Sequence, residues 1–305
     1  MTSSIVFRTY TPEDHPAIAD LCQHIWEGND YLPHLINDFY ESDQSHPVVA
    51  VLDDRIVAVA NMRELNDRIL WLEAMRTHPE YRGQGIATEL LKLQINRARE
   101  LGKQAVWLFT GEDNQATRTI LDRLQFNETG RYYLWGFERD RDQNNEYPGL
   151  NADGKLIDLH YASHHFSTVA QELSEQWLVC NSSETLAEKL AGIDQVAPLL
   201  VSEFIAFPPD VYDIKEWLAS GSILYLEDRK GIITMCEGKE QEGLVLGITT
   251  QDPDVVEAAL LYALQSYQPS NILAFFPQQV KHPLLSMDQW LFRLMTLDIR
   301  ENGHP

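Results

Sequence analysis

Basic residues, cysteine and long apolar runs are all scarce in this chain of 305 residues, and each scarcity excludes something. Lys and Arg number 24 against 46 Asp and Glu, a formal net charge of −22, which argues against a nucleic-acid partner and against docking on an anionic membrane. The three cysteines, Cys22, Cys180 and Cys236, are scattered without metal-ligand or redox spacing, so neither a disulfide framework nor a metal cluster is expected. No apolar run approaches membrane-spanning length, and the first residues lack the basic-then-apolar layout of a signal peptide. A reduced, cytoplasmic, metal-free protein is expected, with the His164-His165 pair at its surface. Hydrophobic residues make up 44%, enough for two ordinary domains with cores of their own.

The densest signal that is present runs from Glu73 to Leu93. A strand-like stretch, Arg68–Arg76, leads to Arg82-Gly83-Gln84-Gly85-Ile86-Ala87-Thr88, and an apolar-periodic helix from Ile86 to about Leu101 follows, with Gly102 as its stop. A strand feeding a glycine turn that opens a helix brings free backbone N–H groups and the positive end of the helix dipole to one point, a place for a phosphate or pyrophosphate. A side chain at Gly83 or Gly85 would hold the anion off the backbone, and Arg82 adds positive charge. Two familiar phosphate loops fail here: a P-loop needs Lys-Ser/Thr where Ile86-Ala87 stands, and a dinucleotide fingerprint needs a third glycine where Thr88 stands.

The elements around this turn read in order. Ile5–Thr9 is a strand; Pro12 to about Trp26 and a stretch ending near Tyr40 are helices. Val48–Leu52 and Arg55–Met62 form a hairpin about Asp53-Asp54. After the glycine turn come a strand at Gln104–Thr110, a helix at Asn114–Leu124 and a strand at Tyr132–Phe137. With Arg82, Gly85 and Ala87 matching an Arg/Gln-x-x-Gly-x-Gly/Ala signature, this stretch resembles the GCN5-related N-acetyltransferase (GNAT) superfamily over about residues 5–137. The resemblance implies a mixed α/β sheet of the GNAT fold. It also implies acetyl-coenzyme A as co-substrate, with its pyrophosphate on Arg82 through Thr88, its carbonyl polarised by backbone around Met75, Arg76 and Thr77, and its pantetheine arm helped by Asn114. Glu73, placed four residues before Thr77 and so on its face by the period of two, is the candidate base. The family's usual acid, a tyrosine, is replaced by Leu121, and its glycine by Gln125; Tyr132 and Tyr133 are the candidate acids, unless the thiolate leaves unprotonated.

Glu27 through Pro33 is expected to line the acceptor site, with Asp30, Tyr31 and Glu73 as binding residues. Asp30-Tyr31-Leu32-Pro33 is similar to the histidine N-acetyltransferase-like branch, which implies a free amino acid as acceptor. A polar, turn-rich stretch, 140–154, reads as a linker between a catalytic domain, 1–139, and a second domain, 155–305. The second domain repeats the strand-strand-strand-helix-strand order, yet its strand-to-helix turn, Gly247 through Asp254, has no glycine signature, and Asp252 is placed to cap the helix itself. Two tandem GNAT-like domains, the second degenerate, are therefore expected. Residues 1–150 carry 15 Lys+Arg against 24 Asp+Glu and residues 151–305 carry 9 against 22, so the first half is the better host for a polyanion. The favoured function is acetyl transfer to a small-molecule amine, with a homodimer as the candidate assembly. A non-catalytic acyl-coenzyme A-binding module and a protein N-terminal or lysine acetyltransferase remain as alternatives.

Overall fold

The computed structural model describes residues 5–25, 28, 30–138, 157–158, 166–191, 200–202, 205–207, 218–219, 222–228, 230–237, 243–250, 252–267, 271–277 and 290–300. The expected linker 140–154 and the His164-His165 pair lie outside these.

The first half runs β1 (Val6–Thr9), α1 (His15–Gln23), α2 (Leu32–Glu41), β2 (Val48–Leu52), β3 (Arg55–Glu64), β4 (Ile69–Thr77), α3 (Ile86–Glu100), β5 (Ala105–Gly111), α4 (Gln115–Arg123) and β6 (Asn127–Glu138). Asp53 and Asp54 both take left-handed backbone, φ 49° and 60°, which joins β2 to β3 with the twist a two-residue hairpin requires. Helix α3 buries Ile86, Leu90, Leu91, Ile95 and Ala98 along one stripe against the β3–β5 face. It stops because Gly102 sits at φ 70° and the Lys103 N–H reaches back to the Ala98 carbonyl at 2.9 Å. Helices α1 and α2 cover the other face, packing Ile18, Leu21, Leu32 and Ile36 on Val49, Val59 and Ala74.

The described second half comprises β7 (Ile157–Asp158), α5 (Thr168–Ser174), β8 (Leu178–Val179), α6 (Ser183–Ala191), β9 (Leu200–Ser202), β10 (Ile205–Phe207), β11 (Ile223–Tyr225), β12 (Ile232–Glu237), β13 (Gly243–Thr249), α7 (Pro253–Tyr267), β14 (Asn271–Pro277) and β15 (Trp290–Asp298). The antiparallel β11-β12-β13 set followed by α7 and the parallel strand β14 matches the β2-β3-β4, α3, β5 series element for element.

The two halves share one 13-stranded mixed sheet, ordered β1-β2-β3-β4-β5-β15-β6-β14-β13-β12-β11-β8, with β7 beside β6. Strand β15 of the second half is inserted between β5 and β6 of the first, and β6 in turn pairs with β14. An apolar cluster crosses this junction, joining Trp71, Tyr132, Leu134, Phe275 and Leu294, with the Phe109 and Phe275 rings stacked at 6.4 Å. The second half therefore does not dock on a finished first half; each half is completed by a strand of the other.

Candidate active site

Strands β4 and β5 run parallel and pair only from Ile69↔Ala105 to Trp71↔Trp107, although β4 continues to Thr77 and β5 to Gly111. Beyond Trp71 they part, and a slot opens between them. At its mouth lies the turn from β4 to α3. Gly85 is the residue before α3 and has φ 82°, Gly83 has φ 76°, and no side chain caps the helix. A Cβ built on either glycine would meet nothing within 4 Å, so glycine is required there by backbone conformation, with open space above the N–H groups. No side chain thus spends the first N–H groups of this 15-residue helix, as an anion cradle needs. Arg82 is exposed and its Nε donates to the Thr77 carbonyl at 3.2 Å, which ties the charged side chain back over the strand end. Gln84 likewise reaches the Glu80 carbonyl.

Strand β4 departs from the period of two. The register with β3 passes from Asn61↔Glu73 to Val59↔Arg76, so Ala74 and Met75 together oppose Ala60, and Ala74 takes φ 55°. Ala74 packs with α1 and α2 while Met75 packs with α3. The bulge puts Ala74 and Arg76, rather than Met75 and Thr77, with Glu73 on the α1–α2 face, correcting the face expected from simple alternation.

On that face Glu73 is 16% exposed. Its Oε1 accepts from Asn61 Nδ2 at 2.8 Å and from Arg63 Nε at 3.0 Å. Asn61 is fully buried, and its backbone carbonyl accepts from Gln94 of α3 at 3.0 Å. Neither Asn61 nor Arg63 was anticipated, although an asparagine inside the apolar run Val57-Ala-Val-Ala-Asn61-Met is a signal for a buried polar group with a partner. The Arg76 guanidinium donates to Asp30 at 2.6 and 3.1 Å and lies 5.1 Å over the Tyr31 ring. The Asp30 side chain is 0% exposed and also accepts from the Leu32 N–H, so it orients Tyr31 and the start of α2 instead of lining an acceptor site as expected. Burial raises the Tyr31 hydroxyl above its usual pKa, against the opposing pull of Arg76. Burial also pushes the neighbouring Cys22 thiol up to about 12, which leaves it an inert core group. Glu27 and Asn29 lie outside the described residues.

Asn114 caps α4, its Oδ1 accepting from the Thr117 N–H at 3.2 Å, so its amide NH2 is the group turned to other use. Leu121 is completely buried in the α3–α4 core and offers no proton. Tyr132 faces the apolar junction cluster, its hydroxyl buried without a partner among the described residues and raised in pKa by that burial. Tyr133 points to the opposite face, against the core of the second half, which removes it as a candidate acid.

The comparisons with known proteins agree with this geometry. Residues 15–126 match the acetyltransferase (GNAT) family. Those residues, α1 to α4, are similar to GNAT N-acetyltransferases. GNAT enzymes are acetyl-coenzyme A-using N-acetyltransferases, and the uncapped α3 with its open slot fits that co-substrate. The chain is 29% identical over 145 residues to N-alpha-acetyltransferase 30 of Schizosaccharomyces pombe, across 44% of this chain and 95% of that protein. A candidate acetyltransferase of Thermoplasma acidophilum shares the fold over 96% of this chain and 99% of its own, with a TM-score of 0.60 at 14% identity. One from Pyrococcus horikoshii does so over 96% and 89%, with a TM-score of 0.54 at 14% identity. The mixed-sheet GNAT fold thus extends over the whole chain. The histidine N-acetyltransferase branch gains no support from these relatives. Among the described residues no His, Cys, Asp and Glu group could hold a metal, and no helix is long and apolar enough to cross a membrane.

Proposed function

We propose that this GNAT protein transfers the acetyl group of acetyl-coenzyme A to a free α-amine, the N-terminal amine of a polypeptide, in the reducing cytoplasm where its thiols persist. The observation that carries the reading is the setting of Glu73: one carboxylate oxygen shared by Asn61 and Arg63, beside Tyr31, at the point where β4 leaves β5. A carboxylate kept ionised by a guanidinium is a weak base, matched to an amine that gives up its proton easily. An α-amine, with a pKa of about 8, needs little help to become neutral at pH 7.5. A lysine side chain near 10.4 would need roughly 4 kcal/mol. The likeness to a protein named N-alpha-acetyltransferase 30 points the same way.

The co-substrate supplies an activated thioester acetyl group. Backbone N–H groups of α3 and the turn Arg82 through Thr88 would hold its pyrophosphate, and Asn114 its pantetheine arm. Met75–Thr77 backbone on the open edge of β4 would polarise the thioester carbonyl. Glu73 would seat the ammonium and receive its proton, directly or through a water. Tyr132 is the remaining side-chain candidate for protonating the thiolate.

The matching element series supports two tandem GNAT-like domains, 1–139 and 155–305. In the second, Asp252 caps α7 through the Asp254 N–H at 3.0 Å, and β13 and β14 stay paired as far as Gly247↔Phe275, leaving neither cradle nor slot of the first kind. A free amino acid is the second reading, favoured by the second half's strands standing directly beside β5.

The test is a mass-spectrometric acceptor panel of peptides with free N-termini, N-terminally blocked lysine peptides, and free amino acids. Acetyl on the N-terminal amine is expected; acetyl on lysine alone, or on amino acids alone, would sink the proposal.

A further inference from the structure

Beyond Trp107, β5 has lost β4 on one side, so the far wall of the slot is positioned from the other side alone. That side is β15, which pairs with β5 along its whole length, from Asp298↔Ala105 to Phe292↔Gly111. The contact continues past the strand. The Glu112 N–H donates to the Leu291 carbonyl at 2.7 Å, and the Glu112 carboxylate is gripped by both arms of the Arg293 guanidinium. Arg293 also holds Glu128 of β6 at 2.5 Å, and Arg118 of α4 closes on the Glu112 carbonyl at 2.9 Å. One arginine from the second half thereby fixes the residue between the end of β5 and the cap of α4. Its side chain is 14% exposed, so the fork is partly shielded from water, where a bidentate pair is most directional.

We propose that Arg293 is a positioning residue for acetyl-coenzyme A: the second half supplies the brace that keeps the β5–α4 turn, and with it one wall of the slot, in its coenzyme-binding place. This rests on the reading of the slot as the coenzyme site. It gives the second half a part in ligand binding that its own missing glycine turn had hidden.

Calorimetric titration of the full chain with acetyl-coenzyme A alone tests it, with no acceptor present. Arg293→Met is expected to weaken binding at least tenfold, Glu112→Gln to do the same, and the double variant to lose clearly less than the sum of the two, because the singles share the Glu112–Arg293 fork while Arg293→Met also loses Glu128. Arg293→Lys keeps the charge without the fork and is expected to fall between Met and the wild type. Arg300→Ala, exposed and paired only with Asp298 among the described residues, should bind within twofold of the wild type. Amide exchange across residues 109–115 should quicken in Glu112→Gln, which reads the brace even if Arg293→Met does not fold. Affinity within twofold of the wild type in folded Glu112→Gln and Arg293→Lys, or additive losses in the double variant, would overturn the proposal. A wild-type chain that binds no acetyl-coenzyme A would overturn the slot reading and this with it.

Discussion

At Glu73 the chemistry depends on two neighbours. Replacing Glu73 with Gln keeps the shape and the Asn61 contact but removes the charge that seats the ammonium. Turnover should fall at least tenfold with acetyl-coenzyme A affinity kept, and an undiminished rate would remove Glu73 from its role. Tyr132 gives a sharper test because its hydroxyl has no partner among the described residues. If Tyr132→Phe retains full turnover, no side-chain acid acts and the thiolate leaves alone. Gln125 occupies the position where the family carries glycine and has φ 63°, with the following Phe126 N–H closing on Leu121 at 3.0 Å. A left-handed non-glycine residue is strained, so Gln125→Gly should raise stability by about 0.5–1 kcal/mol in a denaturant melt, even after the added flexibility of the unfolded chain. Of these features the sequence made Glu73 and the glycine turn legible. It did not reveal the bulge at Ala74, since alanine carries no mark of a left-handed conformation. The partners of Glu73 were hidden too, because cross-strand neighbours depend on register.

Among the elements, the hairpin at Asp53-Asp54, the stop at Gly102 and the self-capped α7 followed from local rules because each is built from consecutive residues. The link between the end of β3 and the α3–β5 turn did not. There Lys103 pairs with Glu64 at 2.6 Å and reaches the Asn66 carbonyl at 2.8 Å, while His46 takes the other Glu64 oxygen at 2.8 Å. Burial alone would raise the Glu64 pKa; Lys103 and His46 outweigh it and hold the group below its ordinary value. A depressed carboxylate stabilises the fold above the unfolded pKa, about 4.3, and that stability is lost as pH falls through the lower folded value. Thermal melts should therefore drop below about pH 4.5 in the wild type, and Glu64→Gln should flatten that acid limb while lowering stability by roughly 1–2 kcal/mol at neutral pH.

For the whole molecule, the exchanged strands matter most. Nothing in residues 105–138 announces that their sheet partners lie beyond residue 270, since strand propensity names a strand and never its neighbour. A fragment ending at residue 138 would expose β5 and β6 edges along with Trp107, Phe109 and Tyr132. It should bind a hydrophobic dye, aggregate and ignore acetyl-coenzyme A, whereas co-expression with residues 139–305 should restore a soluble, coenzyme-binding complex.

The contact between Glu112 and Arg293 spans 181 residues of chain. On a ribosome the catalytic half emerges first, and its slot stays unbraced until the residues through 298 have followed it out. Folding of this protein is thus coupled to the order of its synthesis. Pairing strands this far apart in sequence should be slow, and β15, made long after β5 and β6, should be the strand whose arrival braces the slot.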